Sequence, residues 1–192
     1  LKFSKTLGIR NKNDVTIRWS STSKPSLGGI SFYFTFLMGF MFYAILFGES
    51  DVFQNESLLG LFFSVTLAFL LGLSDDAYNT KPFLKLVVQI VCGLILSFTG
   101  GGIEIFNSNS LNIALTVLWI VGIMNSINML DNMDGITTIT SMSVISTLIA
   151  LSIPVLMFKN QVDVFLLITI FGALSAFLIF NFNPAKMFMG DT

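Results

Sequence analysis

The chain has 192 residues, 54% hydrophobic and 11% charged, with 10 Lys and Arg balanced by 11 Asp and Glu. A water-soluble domain carries roughly 25% charged residues, so this composition excludes one and points to a membrane protein. The chain has no histidine, and its one cysteine, Cys92, sits in an apolar run. That excludes an intrachain disulfide and leaves oxygen ligands for any metal, which favours a hard ion such as magnesium.

Residues 1–27 are polar and basic, and Pro25 with Gly28-Gly29 marks a turn into the first apolar run. Six such runs are predicted to cross a bilayer, at 28–47, 57–73, 83–99, 111–129, 136–158 and 162–180. A crossing helix needs about 20 apolar residues, so the second and third are short. Only helices or closed barrels satisfy their backbone in hydrocarbon, and continuous runs lack the alternation of barrel strands. The expected fold is therefore all-α, a polytopic integral membrane bundle with six transmembrane helices. Pro82 suits the first turn of the third helix, and Gly100-Gly101-Gly102 marks a break after it.

The basic residues set the orientation. Lys2, Lys5, Arg10, Lys12, Arg18 and Lys24 precede the first run, Lys81 and Lys85 follow the second, and Lys186 follows the last. Nine of the ten cations thus fall on one side, with Lys159 opposite, which makes that side cytoplasmic. Five carboxylates emerge on the same side: Asp75 and Asp76, Asp131 and Asp134, and Asp191.

Adjacent carboxylates such as Asp75 and Asp76 repel unless a cation sits between them or one keeps its proton. A solvated interfacial pair is the bland alternative; Lys81 and Lys85 could neutralise it, hold a phosphate or anchor the span. Asn125, Asn128, Asp131 and Asp134 recur every third residue. If helical, they form one polar stripe, which at membrane depth faces the bundle interior or a water-filled cavity. Asn132 and Gly135 both tolerate left-handed backbone, so a tight turn is expected there. Asn181, Asn183, Lys186, Phe188 and Asp191 form the last group. Carboxylates gathered at one membrane surface suggest a divalent metal and a phosphorylated substrate.

LGLSDDAYNTKPFLKLVVQ, NSINMLDNMDG and NFNPAKMFMGDT resemble, in order and side, the three cytoplasmic signatures of the polyprenyl-phosphate N-acetylhexosamine-1-phosphate transferases (glycosyltransferase family 4). SKPSLGG is similar to the entry to that family's second span. The resemblance implies transfer of a sugar-1-phosphate from a UDP-N-acetylhexosamine to undecaprenyl phosphate, releasing UMP and starting a cell-envelope polysaccharide. It implies a magnesium cofactor, with manganese able to substitute, and an active site on the cytoplasmic face of a bacterial inner membrane. The lipid bilayer is the expected environment and nucleic acid is not an expected partner; the architecture is compatible with a homodimer. By the same resemblance, Asp75 and Asp76 are the catalytic pair, which binds metal with Asp191 or deprotonates the lipid phosphate; direct attack by that phosphate and a covalent aspartyl intermediate both stay open. Asn128, Asp131, Asp134, Asn181, Phe188 and Lys85 are the substrate-binding residues, Phe188 stacking on uracil. The whole chain reads as one transmembrane catalytic domain, truncated at both ends.

Details of the match favour the branch that uses UDP-GlcNAc. Asn79 stands where the phospho-N-acetylmuramoyl-pentapeptide transferases usually have lysine, and Lys24-Pro25-Ser26-Leu27-Gly28-Gly29 replaces their Thr-Pro-Thr-Met-Gly-Gly. Asn132 replaces a glycine common in the family, the least costly exchange at a positive φ angle. The pentapeptide branch is the runner-up. An ion-coupled transporter is the reading from another class, and it would place its carboxylates near the bilayer midplane. None of the five motif acids lies inside the six runs.

Overall fold

The structure is a computed structural model that describes residues 28–46, 54–78, 80–156 and 161–190. Six helices make up the described chain: α1 Gly28–Leu46, α2 Glu56–Tyr78, α3 Pro82–Phe98, α4 Asn109–Leu130, α5 Ile136–Leu156 and α6 Gln161–Asn181. They match the six apolar runs in order, and no strand occurs among the described residues.

The ends of the helices follow from local chemistry. Pro82 opens α3, where its missing N–H is one that the helix could not pair anyway. At the other end Gly100 takes φ +79, and Gly101 N–H donates to the Leu96 carbonyl at 2.9 Å. That is the Schellman stop. α2 runs five residues beyond the predicted boundary at Leu73, so Asp75 and Asp76 belong to its last turns rather than to a loop. Asn125 and Asn128 are helical, but α4 ends at Leu130 with Asp131 as its C-cap. The expected stripe therefore stops there. Gly135, at φ +76, turns the chain into α5.

Helices α1, α2, α4 and α6 are long and apolar enough to cross a membrane. With 17 residues, α3 rises about 26 Å, just short of a hydrocarbon core of about 30 Å. The Ile136–Ser152 part of α5 is also a shorter apolar stretch. Side chains such as Leu118, Trp119 and Ile179 are exposed on the outer surface, as expected where lipid replaces water.

Each helix packs on its neighbours in sequence, and α6 returns to α1. The contacts are extensive within α2–α3–α4 and within α5–α6–α1, and sparse where α1 meets α2 and α4 meets α5. The bundle thus consists of two three-helix leaves. An aromatic cluster joins them, with Phe40 and Tyr43 of α1 packed on Leu58 and Phe62 of α2 and Phe165 of α6. Within the first leaf, Ser64 Oγ donates to the Cys92 carbonyl at 3.2 Å, and Cys92 Sγ to the Ser64 carbonyl. Antiparallel neighbours bring the ends of α2, α4 and α6 and the starts of α3, α5 and α1 to one face of the bundle. All the motif residues the structure describes are at that face.

Candidate active site

Asp75 is 6% exposed, an expensive position for a carboxylate at a helix C-terminus, where the macrodipole is also negative. Donors from Thr80 and Lys85 compensate. Thr80 gives its N–H at 2.9 Å and its hydroxyl at 2.7 Å to Oδ1, and Lys85 Nζ lies 2.5 Å from Oδ2. The turn between α2 and α3 is short, so Lys85, one turn into α3, comes back beside Asp75. The ammonium is 29% exposed on its side chain, which leaves part of its donor capacity for a ligand.

This ion pair forms one wall of a cleft of about 130 Å³. Gly72 and Asp75 of α2, Lys85 and Gln89 of α3, and Asn128 and Asp131 of α4 line its polar part. Ala68, Leu71, Met124 and Ile127 make its apolar walls, and Met189 and Gly190 lie across it. Burial pushes the Asp131 carboxyl above the usual carboxylate range, and the nearby Thr137 hydroxyl partly offsets this. Thr137 Oγ1 is buried and makes no hydrogen bond of ordinary geometry.

Beside the cleft, one asparagine organises the last two motifs. Asn181, 2% exposed, accepts from Gly135 N–H at 3.1 Å and Thr138 Oγ1 at 2.8 Å, and donates to the Met187 carbonyl at 3.0 Å. Asp134 Oδ2 accepts the Ala185 N–H at 2.9 Å. The turn after α4 and the loop after α6 are thereby locked together. That loop is also tied to the start of α1, where Gly28 and Gly29 N–H donate to the Phe188 and Met189 carbonyls at 3.3 and 3.1 Å. A Cβ at Gly28 would lie 2.8 Å from Met189 Cα, so only glycine permits this approach.

The structure therefore brings four of the expected residues, Asp75, Lys85, Asn128 and Asp131, to one cleft. Asp76 is half-buried on the same helix end but does not line it. Asp134 Oδ2 and the Asn181 amide bond to the protein's own groups beside the cleft, and Phe188 is 38% exposed next to the cleft-lining Met189. Asp191 lies outside the described residues. Among those that are described, no three carboxylates converge on one point. Sequence reasoning passed over Thr80 and Gln89. A polar side chain one turn beyond Lys85 inside an apolar run was the available signal for Gln89.

Comparison with known proteins covers the stretch that holds the cleft. The family model described as glycosyl transferase family 4 matches residues 58–192. The chain belongs to that family.

Among individual members, it is 27% identical over 177 residues to the "Probable undecaprenyl-phosphate N-acetylglucosaminyl 1-phosphate transferase" of Bacillus subtilis (strain 168), covering 88% of this chain and 47% of that protein. It is 30% identical over 209 residues to the "Phospho-N-acetylmuramoyl-pentapeptide-transferase" of Streptococcus thermophilus (strain CNRZ 1066), covering 99% of this chain and 60% of the relative. The protein of that name from Streptococcus uberis (strain ATCC BAA-854 / 0140J) is 32% identical over 207 residues, with 96% and 59% covered. The chain thus spans between 47% and 60% of the length of these family 4 relatives.

Proposed function

We propose that the protein transfers N-acetylhexosamine-1-phosphate from a UDP-sugar to undecaprenyl phosphate, at the cytoplasmic face of a bacterial inner membrane. The cleft carries this reading: a cation and two amides line it together with apolar side chains, at the end of the bundle where the charged motifs collect. Such a site can take a phosphate by its head and leave the hydrocarbon behind it in the bilayer. The runs of charge support the orientation, since Lys81, Lys85 and Lys186 share this end.

In the reaction an oxygen of the lipid phosphate bonds to the sugar-bearing phosphorus of the UDP-sugar. The bond from that phosphorus to its bridging oxygen breaks, and UMP leaves. Two anions must meet, so the site must first neutralise charge. Asp75, held by Thr80, fixes Lys85 at the cleft edge, where the ammonium screens the acceptor phosphate. Asn128 and Asp131 face the diphosphate and nucleotide. Asp134 and Asn181 act by holding the turn after α4 against the loop that presents Phe188 to the uracil.

A divalent ion, magnesium by preference, suits the donor set: every candidate ligand is a carboxylate oxygen, and in the sequence Asp191 directly follows the cleft-lining Gly190. Asp191 with the Asp75-Asp76 pair would hold it, and when bound it would supply charge neutralisation at the diphosphate.

The donor sugar is proposed to be UDP-GlcNAc, on Asn79 and the 24–29 stretch. The pentapeptide reading is kept because relatives so named reach 30% and 32% identity. The test uses membranes containing the full-length protein, undecaprenyl phosphate and magnesium, with radiolabelled UDP-GlcNAc and UDP-MurNAc-pentapeptide supplied in parallel. Label entering lipid from UDP-GlcNAc alone is expected. Label from the pentapeptide donor would move the protein to the other branch, and label from neither would refute both assignments.

A further inference from the structure

Gln89 is the residue that the proposed reaction leaves unused. It sits on α3 one turn beyond Lys85, about 6 Å deeper into the bilayer, and is 7% exposed. Its Oε1 accepts from Asn125 Nδ2 at 2.9 Å, and the same Nδ2 donates to the Val121 carbonyl at 2.8 Å. Nε2 has no hydrogen-bond partner among the described residues, yet Gln89 lines the cleft. A carboxamide that deep in an apolar helix costs free energy unless both ends are used. One end is anchored to α4; the other faces the cleft, between Lys85 above and the apolar wall of Ala68, Leu71 and Met124.

We infer that Gln89 is a binding residue for the phosphate head of the lipid acceptor, its Nε2–H₂ donating to a phosphate oxygen below the Lys85 ammonium. This rests on the transferase reading for the identity of the lipid. The placement suits a phosphomonoester at the boundary between headgroup and hydrocarbon. An ammonium supplies charge at the water side, and a neutral amide supplies directed donors where an unpaired second cation would be costly. Asn125 acts on the ligand only through Gln89. By taking Oε1 it turns the donor end outward, so it is a positioning residue.

The test measures binding rather than turnover. Full-length protein in detergent micelles is titrated with undecaprenyl phosphate and, in parallel, with undecaprenol, which lacks the phosphate. Gln89→Leu is expected to weaken binding of the phosphate by about tenfold or more, the usual effect of one hydrogen bond to a charged group. Undecaprenol binding should stay within about twofold. Gln89→Glu, which turns a carboxylate toward the phosphate, should weaken it further. Asn125→Leu removes the same helix–helix tie but keeps the donor, so its loss should be smaller than that of Gln89→Leu.

Equal losses in Gln89→Leu and Asn125→Leu would reduce Gln89 to a packing contact and overturn the inference. So would unchanged phosphate binding in Gln89→Leu, or parent-like binding in Gln89→Glu, which would mean an acceptor faces the cleft. The two readings fail separately. Gln89-dependent phosphate binding without sugar transfer sinks the transferase, whereas transfer with Gln89-independent binding sinks only this assignment.

Discussion

Replacing Asn181 with alanine tests the core of the site. Its side chain makes three hydrogen bonds, two to groups that stay buried when it is removed. Gly135 N–H and the Thr138 hydroxyl have no access to water, since Thr138 is 0% exposed and Gly135 is buried. Each would lose a partner at a cost of about 1–3 kcal/mol. The Met187 carbonyl is half-buried and can recruit water, so its share is about 0.5 kcal/mol. The expected loss is about 3–6 kcal/mol, read by equilibrium unfolding of the full-length protein in mixed micelles with increasing dodecyl sulfate. Thr138→Val in the same background should show a coupling of about 1 kcal/mol, because the two share one bond. A loss below about 0.5 kcal/mol would show that the Asn181 bonds contribute nothing net, and the account of how the last two motifs are locked would fall with it.

Lys85→Met removes the countercharge of the buried Asp75 carboxylate and should cost about 2 kcal/mol, below the usual buried-pair figure because the Lys85 side chain is partly exposed and Thr80 still donates to Asp75. Adding Asp75→Asn should recover most of that loss in the same unfolding assay; no recovery would mean the pair is not coupled. Gly28→Ala should detach the loop at 187–190 from α1, seen as faster tryptic cleavage after Lys186 with helix content unchanged. Cleavage at the parent rate would contradict the close approach. Because burial raises the Asp131 carboxyl, the folded state binds its proton more tightly than the unfolded chain does. Its contribution to stability is therefore favourable at low pH and is lost as pH rises from the ordinary aspartate range through the raised value. Asp131→Asn should flatten that part of the stability–pH curve and be relatively more stable above it. An unchanged slope would exclude Asp131 as its source.

Much of this arrangement was legible in the chain itself, for definite reasons. Long, continuous apolar runs can satisfy their backbone in hydrocarbon only as helices, so the six elements and their order follow from hydropathy alone. Glycine and proline chemistry placed the two ends of α3. The parity of the runs put the motif acids that the structure describes at a single face. The three motifs named the family.

Which of those acids face a common space was decided by tertiary contact. Asp75 and Asp76 are neighbours with equal chemistry, and only the turn of α2 and the return of Lys85 on α3 direct Asp75 into the cleft. Asn125 and Asn128 share a spacing, yet Asn125 meets Gln89 of another helix while Asn128 lines the cleft. Asn181 reads as polar and available, but α5 and the final loop close around it. A sequence sets what each side chain can donate or accept and which face of a helix it occupies. The partner across the gap comes from how the helices cross, and that is a property of their packing.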